Sequence, residues 1–404
     1  MAHPPSSRLK ILSAVNQPNL RGVVFDMDGT LTVPNLDFDE MYSRCEVPRD
    51  QDILEAVALM DAEKASKARG VIEEIEEEGR QTLRLTPGAA ELGRWLAAHK
   101  IPMALVTRNT QKTVKVFEEN LWFDAVGSSF SPSISRDFPD GIPPKPDPKA
   151  FDIIAKRWSI DLPTSGLVMV GDSPSNDVAF GKAAGASTVL VDSGRKYSEG
   201  GSDGDADICV GNLSQVPRML WKSFNIDSSL GTNVPLLKYD IPIPGNAACK
   251  AASNGDVDSL TTMSVSELCG IDESGNTPLI WGADAGNDEV VSMLLGKVPA
   301  SNLNVRGYLG ATAICRASRR GKTEILRMLL AKENADPNIP NEKLQHPLHF
   351  AAFKKQPNAV NLLLQHGANP LVLDRKGRTP AEDTSDESIR DAILAAADEI
   401  LKKQ

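Results

Sequence analysis

Val23-Val24-Phe25-Asp26-Met27-Asp28-Gly29-Thr30-Leu31 decides how the first half of the chain is read. The apolar run Val23-Val24-Phe25 predicts a short buried strand. Gly29 predicts the turn that ends it. Residues i and i+2 of a strand share a face, so Asp26 and Asp28 stand side by side at its C-terminal end. In an open parallel sheet that edge is where ligands bind. Adjacent carboxylates repel, which drives one of them towards its neutral form. A hard divalent cation with oxygen ligands removes that cost.

Residues 32–85 carry no strand-like run. Charged sequence from Asp50 to about Gly79 holds two apolar stripes, Ile53, Leu54, Val57, Leu59 and Met60, then Val71, Ile72 and Ile75. They predict a small helical insert that sits over a site. The acidic run Glu73, Glu74, Glu76, Glu77 and Glu78 is expected to be a solvated helix face. Strand and helix then alternate. Thr86-Pro87-Gly88 predicts a helix start with Thr86 as N-cap, and the helix runs to an exposed His99. Strands are expected over 103–107, 126–130, 167–172, 187–191 and 206–210, and helices over 110–121, 147–158, 175–184 and 213–224. This order predicts an α/β, Rossmann-like, doubly wound parallel sheet with helices on both faces.

Four groups of reactive side chains follow one another along this half: Asp26-x-Asp28-Gly29-Thr30, Thr107-Arg108-Asn109, Lys145 in a Pro-rich loop, and Gly171-Asp172-Ser173-Pro174-Ser175-Asn176-Asp177. Each is predicted where a strand or loop meets the sheet's C-terminal edge. They supply a carboxylate nucleophile, a second carboxylate, a hydroxyl, a cation and a further acidic pair. That inventory suits phosphoryl transfer through an aspartyl-phosphate, with Mg²⁺ neutralising charge.

The four motifs in this order resemble the haloacid dehalogenase superfamily, over about residues 20–225. The resemblance implies that Asp26 attacks phosphorus and that Asp28 protonates the leaving group and then activates water. It implies that Thr107, Lys145 and the amide near Asn109 contact phosphate. Asp26, Asp172 and the Asp28 carbonyl would ligate the metal, and Asp177 would support its water shell or Lys145. Many members place the last acid four residues after the position of Asp172, where this chain has Asn176; which of Asn176 and Asp177 acts is open at this point. Arg108 either clamps substrate or lies exposed. The second acid, Asp28, argues for phosphate chemistry over dehalogenation. The insert at 32–85 resembles the helical cap that such enzymes close over small substrates. Asp39, Tyr42, Arg44 and Arg49 of that insert are expected on its surface.

Residues 226–245 are rich in Pro and Gly and read as a linker between a domain at 18–225 and a second one at 246–404. In the second, Thr277, Thr312, His346 and Thr379 occupy equivalent places 35, 34 and 33 residues apart. A turn and two helices at that period resemble ankyrin repeats. Residues 248–260 fit a degenerate first repeat and 389–401 a terminal cap. His346, His349 and His366 are expected to serve turns and packing; Trp281 stands at a repeat position usually small and is expected in core or groove packing, with a binding surface as the alternative.

The net charge of -10 argues against general nucleic-acid or anionic-membrane binding. No apolar run reaches membrane-spanning length. Five scattered cysteines without a CxxC pair suggest a reducing, cytoplasmic setting. Arg8, Lys10 and the serines before residue 20 only faintly suggest an organelle transit peptide. The expected function is a Mg²⁺-dependent phosphatase acting on a small phosphorylated metabolite, with repeats that bind a protein partner. The alternative is an ankyrin scaffold whose phosphatase half is weakly active or directed at phosphoproteins.

Overall fold

The computed structural model describes residues 17–139, 141–194, 197, 203–226 and 244–402. The faint targeting signal and residues 227–243 of the expected linker lie outside them. The chain divides into two compact units, Met1–Leu213 and Ser214–Gln404.

The first unit is organised by six strands, β1 (Gly22–Phe25), β2 (Met103–Val106), β3 (Ser133–Ile134), β4 (Leu167–Gly171), β5 (Ser187–Val191) and β6 (Ile208–Val210). They form one parallel sheet in the order β3-β2-β1-β4-β5-β6. The winding direction reverses between β1 and β4, so the ends of these two strands flank the crevice that such sheets use for ligands. Both faces are covered, which is why the central strands β1, β2 and β4 are almost wholly apolar. On one face Val24 joins a core with Phe151, Ile154 and Phe180. On the other, Phe25 meets Phe130 edge-on, and Phe130 packs on Phe117 and Trp122.

The insert after β1 holds three helices, α1 (Phe38–Cys45), α2 (Ile53–Ala58) and α3 (Ala62–Gln81). Asp37, Asp52 and Asp61 cap their N-termini by accepting backbone N–H groups. Such caps contribute about 1 kcal/mol each. The three helices share an apolar core of Met41, Cys45, Ile53, Val57, Ile72 and Ile75. Asp39, Arg44 and Arg49 are exposed, as expected. After the insert come α4 (Ala89–Ala98), α5 (Gln111–Phe117), α6 (Phe123–Val126), α7 (Lys149–Trp158) and α8 (Ala179–Ala183).

Four local expectations fail, each for a physical reason. The cap of α4 is Gly88 in a left-handed conformation (φ 87°), not Thr86. Thr86 is instead tied to the turn that follows β1 through its N–H, which donates to the Leu31 carbonyl at 2.9 Å. His99 is buried, because it lies four residues after Trp95 on α4 and packs against that ring at 4.4 Å. Residues 126–130 form no strand: α6 runs to Val126 and ends at Gly127 (φ 72°), and the edge strand forms seven residues later at Ser133–Ile134. The acidic run of α3 is not wholly solvated, since Glu76 is buried at 4 % exposure.

The second unit opens with α9 (Val216–Ser223) and continues as helix pairs: α10 (Ala247–Asn254) with α11 (Val257–Thr262), then, after a short α12 (Val265–Leu268), α13 (Pro278–Ala285) with α14 (Asp288–Lys297). There follow α15 (Ala313–Arg320) with α16 (Thr323–Leu330), α17 (Pro347–Phe353) with α18 (Pro357–Gln365), and α19 (Pro380–Asp383) with α20 (Glu387–Lys402). First helices stack on first helices from α10 to α19, and one apolar core runs from Ala248 to Ile393. The equivalence of the repeat positions has a structural cause. Thr277 and Thr312 cap α13 and α15 by accepting from the Ile280 and Cys315 N–H groups, and the Thr379 N–H is held by Glu382 at 2.9 Å. Trp281 is buried and donates to Asp272 at 2.6 Å. Among the described residues, no helix is long and apolar enough to cross a membrane.

Candidate active site

The side chains that the motifs single out meet at the C-terminal ends of β1 and β4. Asp26 follows β1 and Asp172 follows β4, and the Asp26 N–H donates to the Val170 carbonyl at 3.1 Å. Lys145 bridges across, donating from Nζ to Asp26 Oδ1 at 2.5 Å and to Asp177 Oδ1 at 2.6 Å. Asp26, Asp172 and Asp177 each present a carboxylate oxygen within 4.8 Å of the others. Thr30 Oγ1 reaches Asp172 Oδ1 at 3.5 Å.

Two glycines make room for this cluster. A Cβ on Gly29, which has φ 74°, would sit 2.2 Å from Asp172 Oδ2. A Cβ on Gly171 would sit 2.3 Å from the Asp177 side chain. The sharp turn after β1 and the last residue of β4 are therefore bare so that carboxylates can close on them.

Backbone geometry gives Asn176 and Asp177 different surroundings. The segment Pro174–Val178 is a π-turn, in which the Val178 N–H donates to the Ser173 carbonyl five residues back at 3.2 Å. A π-turn holds one residue more than an α-turn. The extra residue brings Asp177 to Lys145 and to the Ser173 N–H, 3.0 Å from its Oδ2. Asn176 stays at the turn, its N–H on Ser173 Oγ.

Asp28 has different surroundings. Its Oδ2 accepts from Asn109 Nδ2 at 2.6 Å and its Oδ1 from Thr32 Oγ1 at 3.3 Å. Asn109 also donates to Thr107 Oγ1. The segment after β2 thus holds the second carboxylate apart from the three-acid cluster. Arg108 points elsewhere, to Asp52 at the N-terminus of α2. The structure therefore brings together Asp26, Asp28, Thr107, Asn109, Lys145, Asp172 and Asp177, and turns Arg108 to the insert.

Burial dominates the electrostatics. It pushes Asp26 up to about 8, against the attraction of Lys145 and with added repulsion from Asp177 and Asp28. It pushes Asp172 up to about 6, helped by Asp177. Asp28 is also raised by burial, against the hydrogen bonds from Asn109 and Thr32. Burial pulls the Lys145 pKa down, but Asp177 and Asp26 outweigh it and hold it above the usual lysine value. One ammonium thus faces three close carboxylates. An all-oxygen, under-neutralised donor set of this kind fits a hard divalent cation.

Sequence reasoning missed Thr32, Glu76, Arg136 and Asp52. Glu76 and Arg136 pair at 2.6 and 3.1 Å, and the Arg136 N–H donates to the Asn109 carbonyl. The spacing held a signal: Ile72, Ile75, Glu76 and Gly79 fall at i, i+3, i+4 and i+7 on the buried side of α3.

A family model for haloacid dehalogenase-like hydrolases matches residues 20–185. A haloacid dehalogenase-like hydrolase domain-containing protein of Arabidopsis thaliana is 37 % identical over 222 residues, which are 52 % of this chain and 86 % of that protein. The chain belongs to the haloacid dehalogenase-like hydrolases. The phosphoglycolate phosphatase of Pseudomonas fluorescens is 29 % identical over 48 % of this hydrolase and 77 % of that enzyme. Ankyrin-repeat models match residues 274–308 and 299–374. An ankyrin repeat, SAM and basic leucine zipper domain-containing protein of Dasypus novemcinctus is 34 % identical over 30 % of this hydrolase and 26 % of that protein. The second unit is an ankyrin-repeat domain.

Proposed function

We propose that this hydrolase cleaves small phosphate monoesters through a phosphorylated Asp26. The observation that carries the reading is the Lys145 bridge between Asp26 and Asp177 beside Asp172, in the crevice where the sheet reverses. Asp26, Asp172 and Asp177, with the Asp28 carbonyl, would hold Mg²⁺. Bound there, the ion supplies positive charge against the phosphate oxygens.

An Asp26 carboxylate oxygen forms a bond to phosphorus as the ester P–O bond breaks. The departing oxygen takes a proton from Asp28, which Asn109 and Thr32 hold two residues after the nucleophile. Asp28 then takes a proton from water, the water oxygen bonds to phosphorus, and inorganic phosphate leaves with Asp26 restored. Lys145 orients the nucleophile and offsets part of the burial that raises its pKa, and Thr107 donates to the transferred group. The insert excludes water while the first bond forms.

Phosphoglycolate, the substrate in the name of the Pseudomonas relative, heads the candidate substrates, together with sugar phosphates. The ankyrin repeats act as a protein-binding unit. A phosphate-ester panel assayed with Mg²⁺ tests the reading, with loss of turnover expected on EDTA treatment and recovery on restoring the metal. No turnover on any ester, or turnover indifferent to EDTA, would sink it.

A further inference from the structure

The ankyrin unit carries a groove of about 330 Å³ between the turns and first helices of successive repeats. Its lining includes Arg316, Arg319, Lys343 and Lys354 with Tyr308 and Phe353, and no carboxylate. This is an unusual surface for a chain of net charge -10.

Arg316 is the centre of the feature. Its side chain is 13 % exposed, and its Nε is buried without a hydrogen-bond partner. Its nearest acid, Asp284, is 3.9 Å away and already engaged by Arg320 at 3.1 Å. Burial pushes the Arg316 pKa down, and Arg319 and Arg320 add to the repulsion. Arg319, Lys343 and Lys354 have no ion-pair partner among the described residues. Beside these cations Phe353 is 60 % exposed, with Lys354 Nζ 5.3 Å from its ring centroid. A half-buried cation held only by a long Nη2 bond to the Tyr308 carbonyl (3.4 Å) and a shared, distant carboxylate, next to an uncovered aromatic ring, suits an anion attached to an apolar group.

The geometry points to a short acidic segment of a partner protein as the occupant, with a carboxylate against Arg316 and Arg319 and a neighbouring apolar side chain on Phe353. A peptide is favoured over a nucleic acid because the groove has room for only a few side chains and the rest of the molecule repels a long polyanion. This reading does not depend on the chemistry of the other unit.

Selection of random dodecapeptides displayed on phage against the immobilised full-length chain tests it. The recovered peptides are expected to be enriched in Asp or Glu next to Phe, Leu or Trp. A synthetic copy should bind with an affinity that falls as salt rises. It should bind about tenfold or more weakly to the double variant Arg319→Glu, Lys354→Glu. Both residues are exposed, and unchanged melting would show that the variant is folded. If reversal lowers the melting temperature, Arg319→Ala with Lys354→Ala must weaken binding in its place. Failure to select peptides, selection without acidic enrichment, equal binding by the folded variant, or tighter binding of oligo(dT) than of any selected peptide would each overturn the proposal.

Discussion

Glu76 of the insert and Arg136 of the sheet domain form a bidentate ion pair, Nη1 to Oε1 at 2.6 Å and Nη2 to Oε2 at 3.1 Å. The Glu76 side chain is 5 % exposed and that of Arg136 26 %. The pair leads to the acid of the proposed reaction in two steps, from the Arg136 N–H to the Asn109 carbonyl and from Asn109 Nδ2 to Asp28. Helix α3 is thereby fastened to the segment that positions Asp28.

Removing Glu76 leaves the partly exposed Arg136 without its bidentate partner, at a cost of roughly 1–3 kcal/mol. Glu76→Ala is expected to lower the melting temperature, whereas Glu74→Ala, on the exposed side of the same helix, should leave it nearly unchanged. Differential scanning calorimetry of the two variants checks this. Equal melting of both would mean that the pair contributes nothing to holding the insert.

Gly29 is the tightest point of the site. Gly29→Ala would strain a backbone at φ 74° and force its methyl against Asp172 Oδ2, 2.2 Å from where a Cβ must lie. The left-handed conformation costs an alanine about 1–2 kcal/mol, which a folded domain tolerates. Displacing Asp172 is the larger effect on turnover, and displacement by about 1 Å lowers rates on the order of a hundredfold. The variant should give a wild-type circular dichroism spectrum with a strongly reduced kcat in an ester hydrolysis assay with Mg²⁺. A near-normal kcat would contradict the placement of Asp172 in the reacting cluster.

His349 makes the stability of the repeats depend on pH. Its Nδ1 accepts from the His346 N–H at 3.3 Å, so its Nε2 carries the hydrogen that is donated to the Arg378 carbonyl at 2.9 Å. Burial pulls its pKa from 6.5 down to about 4, against the Arg378 bond and the pull of Asp374. The unfolded chain therefore takes up a proton at a higher pH than the folded one. The full contribution is present above pH 6.5 and is lost as pH falls through the window from 6.5 to 4. Between pH 7 and 5 the loss is about 2 kcal/mol. In urea denaturation the wild type should lose that much more than His349→Gln over the same interval. Parallel losses would contradict a neutral, buried His349.

The parts legible from the sequence were those written in short-range pattern. The run Val23-Val24-Phe25 announces a strand buried on both sides, and the order of Asp26, Thr107, Lys145 and Asp172 announces a shared sheet edge. The recurrence of Thr277, Thr312, His346 and Thr379 announces the repeats, because each begins a first helix. The misread parts turn on tertiary partners. Glu76 looks solvated among four other glutamates until Arg136 and Arg80 are set against it. The run 126–130 has strand-forming residues, yet Phe130 is buried in an aromatic cluster with Phe117 and Trp122 while Ser133 takes the edge of the sheet. The different surroundings of Asn176 and Asp177 depend on a π-turn, which sequence periodicity does not encode.

The central claim is that Asp26 carries the phosphoryl group. Asp28→Asn would remove the group proposed both to protonate the departing oxygen and to activate water, so an aryl phosphate of the ester panel, whose leaving group needs no proton, serves to load Asp26. Acid-quenched Asp28→Asn protein, after incubation with Mg²⁺ and that aryl phosphate, should yield one peptide heavier by a phosphoryl group, and fragmentation should place that group on Asp26. Absence of the modified peptide in both Asp28→Asn and the turning-over wild type, or its assignment to any other residue, would contradict the account.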